Sequence, residues 1–393
     1  MAMRICLLGP SYPFRGGIAH YMTLLARHLS ARGHEVTFLG FIRQYPRWLY
    51  PGQTDRDPSR AALTVSAIPM LDWLNPATWM RTVRYVSDWR PHLFVVPWWT
   101  SFWAPSFYTV LRGIRRRAAA RIVFICHNVV EHETNRLKQF CTRRVLGLGD
   151  SFLVHSHEDA GQLQRWQPGA MIVRVPHPTY EPLVPARIGR HEARRRLGVE
   201  GKILLFFGFV RPYKGLAYAI RSLPLILKQH DVTLMVAGEF WEGKKDILAL
   251  VHRLGLDRHV RIIDRYIPNE EIGVYFGAAD LLLLPYTSAT QSGIVQLAYA
   301  LDVPVVATRV GGLVEVVEPG GTGYLVEPRS PRAIAEAVDD FYRNERAPQF
   351  IERIRQVKHR FSWERLVEAL ERLASSAASP TANSGGPPRG NFA

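Results

Sequence analysis

DLLLLPYTSATQSGIVQLAYALDVPVVATRVGGLVEVVEPGGTGYLVEP, residues 280–328, is the stretch on which the fold turns. Leu281–Pro285 is an unbroken apolar run of strand length, and such runs mark strands buried on both faces. A loop of small polar residues, Thr287 to Gly293, leads into a helix over Ile294–Ala300, and a second buried strand follows at Val305–Ala307. Strand, helix, strand in this order is the unit of a parallel α/β sheet. Ser292 and Gly293 stand where that helix starts, so their amides and the helix dipole favour a phosphate. Two glycine clusters, Gly311-Gly312 and Gly320-Gly321-Thr322-Gly323, punctuate the remainder around Glu315.

Working toward the N-terminus, the same alternation extends over Ile203–Phe207, Thr233–Ala237 and Arg261–Ile263, each read as a strand. The first of these runs into GFVRPYKGLAYAI, which places Arg211 and Lys214 in the loop at the strand's carboxyl end. Ligands bind at that edge of a doubly wound sheet. Two cations there can hold a diphosphate and offset charge on a leaving group. Tyr266 and Ile267 close the third strand ahead of PNEE.

A separate series fills the first half: strands at Arg4–Leu8, Glu35–Gly40, Leu93–Val96, Ile122–Ile125, Phe152–Val154 and Ile172–Val175. Gly16 and Gly17 follow the first strand and open a helix over Gly17–Arg32, with Ile18, Tyr21, Met22, Leu25 and Leu29 on one face. His127 follows the fourth strand in CHNVVEHE. The fold class is therefore α/β, with two Rossmann-like doubly wound parallel-sheet domains facing across a cleft. The expected boundaries are 1–180, 181–360, a closing helix over 361–374, and a polar Gly/Pro/Ser-rich tail at 375–393 that is too polar to fold. Pro176–Arg190, rich in proline, is the expected hinge.

Composition narrows the function. A chain of 393 residues with 47% hydrophobic content can build two cores. Three scattered cysteines give no disulfide framework and fit a reducing cytoplasm. Pro91–Leu111 is uncharged, but its prolines and mid-segment tryptophans argue for strand, loop and helix over a membrane span. The net charge is +16, and seven of ten tryptophans fall between Trp48 and Trp103. Basic charge beside aromatics suits an anionic membrane surface or polyanionic glycan, and no nucleic-acid module is recognisable. His127, His132 and Glu133 match no zinc spacing. Asp55-Arg56-Asp57, a loop motif with a cation between its acids, is discounted as a metal holder, so no metal cofactor is expected.

The PVVAT, GG-x-x-E and GG-TG-x-LV pieces, the GG loop, RGHEVT (Arg32–Thr37), VRPYKG (Val210–Gly215) and FSWERLVEAL (Phe361–Leu370) resemble, in order, glycosyltransferase family four, a GT-B family of retaining enzymes. The resemblance implies a metal-independent hexosyltransferase-type enzyme with a UDP- or GDP-linked nucleotide sugar as co-substrate and no further cofactor. The basic charge and clustered tryptophans, and not the resemblance, point to a glycan or lipid-linked acceptor, as in polysaccharide biosynthesis, and to a cytoplasmic protein peripheral to the inner membrane face. On the resemblance, Gly16 and Gly17 face the donor phosphates, Lys214 contacts the diphosphate with Arg211 nearby, and Ser292 and Gly293 offer amides. Tyr266 and Ile267 lie near the base, Gln296 near the ribose, and His127 positions sugar or acceptor. The family's paired glutamates are absent, their places falling at Ala289 and Leu297 or at Thr290 and Ala298, and Phe209 stands where an arginine is usual. The alternatives are a GT-B epimerase, a phosphorylase, or a degenerate protein that binds a partner or membrane without transfer.

Overall fold

A computed structural model describes residues 2–375 except 47, 49, 51, 53, 61, 62, 64, 131–134 and 185. Seven strands form the first sheet: β1 (Arg4–Leu8), β2 (Glu35–Arg43), β3 (Ala67–Asp72), β4 (Leu93–Trp98), β5 (Arg121–Cys126), β6 (Ser151–Val154) and β7 (Met171–Arg174). Six form the second: β8 (Lys202–Phe207), β9 (Val232–Ala237), β10 (Val260–Ile263), β11 (Leu281–Leu284), β12 (Val305–Thr308) and β13 (Gly323–Val326). The orders are β3-β2-β1-β4-β5-β6-β7 and β10-β9-β8-β11-β12-β13. Neighbouring strands run parallel, as the registers Ile5↔Val36 and Leu205↔Met235 illustrate. In each sheet the order reverses beside its first strand, between β1 and β4 and between β8 and β11. Connections leave in opposite directions there and open a crevice at the carboxyl ends.

The expected inner strands form because their residues are buried on both faces; Ile5 to Leu8, Leu204 and Leu205 have no exposure, whereas the expected edge strands β7 and β10 are only partly buried. Two strands escape the apolar-run reading, β3 and β13. Both are edge strands, where Pro69 in AIPMLD and Gly323 in GYLV are tolerated and continuous apolarity is not required. The helix after β1 spans Gly17–Ala31 and buries Tyr21, Met22, Leu24, Leu25 and Leu29. Pro91–Leu111 resolves into β4, a short 3₁₀ turn and a helix from Ala104. No helix among the described residues is long and apolar enough to cross a membrane.

One apolar cluster runs without interruption from the first sheet to the second. It includes the helix Trp363–Ser375, whose Trp363 stacks on His28 at 5.2 Å and donates its indole N–H to the Thr179 carbonyl at 2.9 Å. The helix thus returns from the second domain onto the first and clasps the linker. Residues 376–393, expected to be a polar tail, lie outside the described residues, as do His132 and Glu133. The tryptophans mostly fill the core: Trp98 and Trp103 are fully buried, and Trp73, Trp79, Trp89 and Trp99 pack against the same cluster. Only Trp48 of the seven is largely exposed, at 79%. Their density therefore reflects packing of the first domain's outer layer more than a surface patch.

Candidate functional site

Between the two sheets lies a cavity of about 260 Å³. Its walls come from the carboxyl ends of β8, β9, β10 and the loop after β11, with Gly16, Gly17 and His20 closing it from the first domain. Seven residues expected from the sequence meet here: Gly16, Gly17, Lys214, Tyr266, Ile267, Ser292 and Gly293.

Lys214 sits in a 3₁₀ turn, Pro212–Lys214, fixed by Pro212 ahead of the helix Leu216–Ile226. It is 8% exposed, and a Cβ on Gly208 would stand 3.3 Å from its Nζ, so the ammonium lies over the end of β8. Burial, then the cation of Arg211, pushes its pKa down to about 8. No carboxylate among the described residues pairs with it. A buried cation without a counter-ion is costly, and an anionic ligand removes that cost.

Ser292 and Gly293 begin the helix Gly293–Ala300, whose N-terminus carries no side-chain cap. A side chain at 293 would meet Tyr180 at 2.7 Å, so only glycine brings the helix start this close to the linker. Tyr180 in turn donates its hydroxyl to the Gly17 carbonyl at 3.0 Å, tying the two glycine loops together across the domains.

Three expected site residues do not line the cavity. Arg211 is directed outward: its guanidinium lies 5.5 Å from the ring centres of both Tyr213 and Trp241 and 3.8 Å from Glu242. Gln296 is 1% exposed, with its Oε1 lacking a partner. His127 is buried against Tyr21, ring centres 4.6 Å apart, beside His155 and His177. Burial, followed by the neighbouring imidazoles, holds His127 well below the usual histidine range, and burial brings His155 to about 3 and His177 to about 4. All three are neutral at pH 7. His127 still borders the domain seam, because Asn128 accepts a hydrogen bond from Thr290 of the second domain.

Several residues in the cavity wall or directly behind it were not legible. Arg15 and Glu239 form a buried ion pair between the domains, their side chains 2% and 5% exposed. Asp57, from the discounted Asp-Arg-Asp loop, accepts from His20 Nε2 at 2.8 Å, the Ser59 amide at 2.8 Å and the Tyr266 hydroxyl at 2.9 Å. Burial alone would raise its pKa; the bonds from His20 and Ser59 outweigh this and hold it at about 2. Its oxygens are thus committed to holding the cavity wall. Asn269 is 2% exposed with both amide atoms lacking partners, and it faces the same cavity. Each of these depends on a partner more than 200 residues distant or on a loop without periodicity, which no local pattern announces.

Comparison with known proteins places this geometry. Residues 15–179 match the model of Glycosyltransferase Family 4, and residues 201–344 that of Glycosyl transferases group 1; together they span most of the chain. D-inositol 3-phosphate glycosyltransferase of Corynebacterium diphtheriae is 26% identical over 260 residues, 63% of this chain and 60% of that protein. An uncharacterized glycosyltransferase of Methanocaldococcus jannaschii is 35% identical over 150 residues, 37% of each chain. The chain therefore matches less than two thirds of the length of these relatives. Among solved structures, sucrose-phosphate synthase from Thermosynechococcus elongatus superposes with a TM-score of 0.73 at 20% identity, over 96% of this chain and 100% of that one. HepE of Anabaena, solved with UDP, gives 0.73 at 18%, over 95% and 100%. With both halves matched and the fold shared end to end, the chain belongs to the family-four glycosyltransferases and has their GT-B architecture.

Proposed function

We propose that the protein is a retaining, metal-independent glycosyltransferase that moves a hexose from a UDP- or GDP-linked donor to a glycan or lipid-linked acceptor at a cytoplasmic, anionic membrane surface. The observation that carries this reading is Lys214, a buried ammonium that no carboxylate among the described residues pairs with, facing the same cavity as an uncapped helix N-terminus. Cation and amides together suit a diphosphate. The UDP held by the Anabaena neighbour and the glycosyltransferase names of the relatives support it.

On this reading Lys214 and the amides of Ser292 and Gly293 hold the diphosphate, Gly16 and Gly17 approach it from the other domain, and Tyr266 and Ile267 border the base. The acceptor oxygen bonds to the anomeric carbon from the side that the diphosphate leaves. The carbon–oxygen bond to the β-phosphate breaks, and the acceptor proton passes to the departing phosphate oxygen. Lys214 offsets the charge that develops there. Arg211 adds positive potential at the rim, and neutral His127 supports the seam behind the wall. The exposed Leu137 and Phe140, on a helix that also carries Arg143 and Arg144, give the first domain a face suited to anionic lipid.

Purified protein incubated in EDTA with a panel of UDP- and GDP-sugars tests the reading. Nucleoside diphosphate released from one donor, and lost in Lys214→Ala, is the expected result. Release that needs a divalent ion, or that survives the substitution, contradicts it.

A further inference from the structure

Along the carboxyl edge of the second sheet the strands run β10, β9, β8, β11, about 4.8 Å apart. The cavity follows that edge. At the β10 end its walls are Tyr266, Ile267, Ile272 and the amide of Asn269; at the β8 and β11 end Lys214, Ser292 and Gly293 stand among Phe207, Tyr286 and Ile294. The one lysine of the lining orients a nucleoside diphosphate, with its phosphates at the Lys214 end and its base toward Tyr266 and Ile267. Its ribose then lies over the end of β9, about one strand spacing from either neighbour.

Glu239 immediately follows β9 with only Gly238 between, and it is the one acid among the described residues lining the cavity. The helix Gly293–Ala300 offers no polar side chain in its place: Leu297 lines the cavity and Gln296 is buried behind it. An ionised carboxylate accepts through two oxygens and can take hydrogen bonds from two adjacent hydroxyls while one oxygen also receives a guanidinium. Arg15 supplies that guanidinium from the first domain. It is itself held over Tyr266, 4.6 Å from the ring centre, and lies 5.6 Å from that of Phe209.

We propose that Glu239 is the residue that recognises the vicinal 2′- and 3′-hydroxyls of the donor ribose, and that Arg15 is its positioning residue, delivered across the cleft. This rests on the nucleotide-sugar reading above. Because Arg15 adjoins Gly16 and Gly17, ribose recognition exists only when the first domain is docked on the second.

The test is titration calorimetry of UDP, 2′,3′-dideoxy-UDP and inorganic pyrophosphate against wild type, Glu239→Gln and Glu239→Ala, with thermal unfolding as a check on folding. Wild type is expected to bind UDP roughly 10- to 100-fold more tightly than the dideoxy analogue, the scale of two charge-assisted bonds. In Glu239→Ala that preference falls to within about 2-fold, and in the isosteric Glu239→Gln it is intermediate, while pyrophosphate binds both variants at least as tightly as wild type, because Arg15 loses its counter-ion. An undiminished preference in Glu239→Ala overturns the assignment, as does parallel loss of pyrophosphate binding in both variants, which would make Glu239 scaffolding. If wild type binds pyrophosphate but shows no preference for UDP, the ribose assignment fails alone. If it binds neither UDP nor pyrophosphate, the nucleotide-sugar reading fails first.

Discussion

Replacing Lys214 with methionine should stabilise the unliganded protein while it damages nucleotide binding. The lysine's pKa falls from an ordinary 10.5 to about 8 on folding, because burial and Arg211 disfavour its charge. At 1.36 kcal/mol per pKa unit, holding the charge inside costs on the order of 3 kcal/mol at pH 7. The sign follows from the depressed value: the cost is fully present below pH 8 and fades as pH rises toward 10.5, where the unfolded lysine also loses its proton. Methionine is close in shape and carries no charge, so Lys214→Met should gain on the order of 1–3 kcal/mol at pH 7, discounted for lost contacts. The difference from wild type should shrink between pH 8 and 10.5. Urea unfolding of both proteins across that range reads it, and UDP titration should show affinity falling about 10- to 100-fold. A variant that is less stable at pH 7 and binds UDP normally would show that Lys214 is a packing residue, and the anion site would lose its basis.

The same lysine should take up a proton when a nucleoside diphosphate binds at pH 8.5, detected as a dependence of binding heat on buffer ionisation enthalpy and absent in Lys214→Met. The buried His127, His155 and His177 must charge as pH falls, so stability should be complete above pH 6.5 and drop by roughly 1.4 kcal/mol per pH unit per histidine below it; urea midpoints at pH 7.0 and 5.5 measure this. Asp57, held at about 2, contributes stability above pH 4 that is lost as pH falls toward 2. Asp57→Asn should therefore cost on the order of 1–2 kcal/mol at pH 7 and loosen Tyr266, seen as a lower unfolding midpoint and weaker UDP binding. Gly293→Ala drives a methyl to 2.7 Å from Tyr180, and should weaken UDP binding about 10-fold through displacement of the helix start.

Much of this architecture is readable from local pattern because parallel strands buried on both faces leave apolar runs that nothing else in a soluble chain requires. β1, β8 and β11 announce themselves that way, and the glycines and Lys214 at their carboxyl ends follow from where a doubly wound sheet binds ligands. The edge strands β3 and β13 do not, since Pro69 and Gly323 interrupt their apolar pattern, which an edge tolerates and which the other edge strands, β7 and β10, keep. The cavity's cross-domain contacts are illegible for a different reason. Arg15 meets Glu239 only after both sheets have formed and docked, and Asp57 reaches Tyr266 from a loop whose spacing carries no period. Arg211 shows the converse: nearness to Lys214 does not make it a cavity residue, because its guanidinium is taken up by Tyr213, Trp241 and Glu242.

The most direct measurement is a crystal structure with UDP or GDP soaked or grown in. The account predicts the diphosphate within hydrogen-bond distance of Lys214 Nζ and the Gly293 amide, with the base beside Tyr266 and Ile267. A nucleotide bound with its phosphates away from Lys214, or a cavity that stays empty at saturating nucleotide, contradicts it.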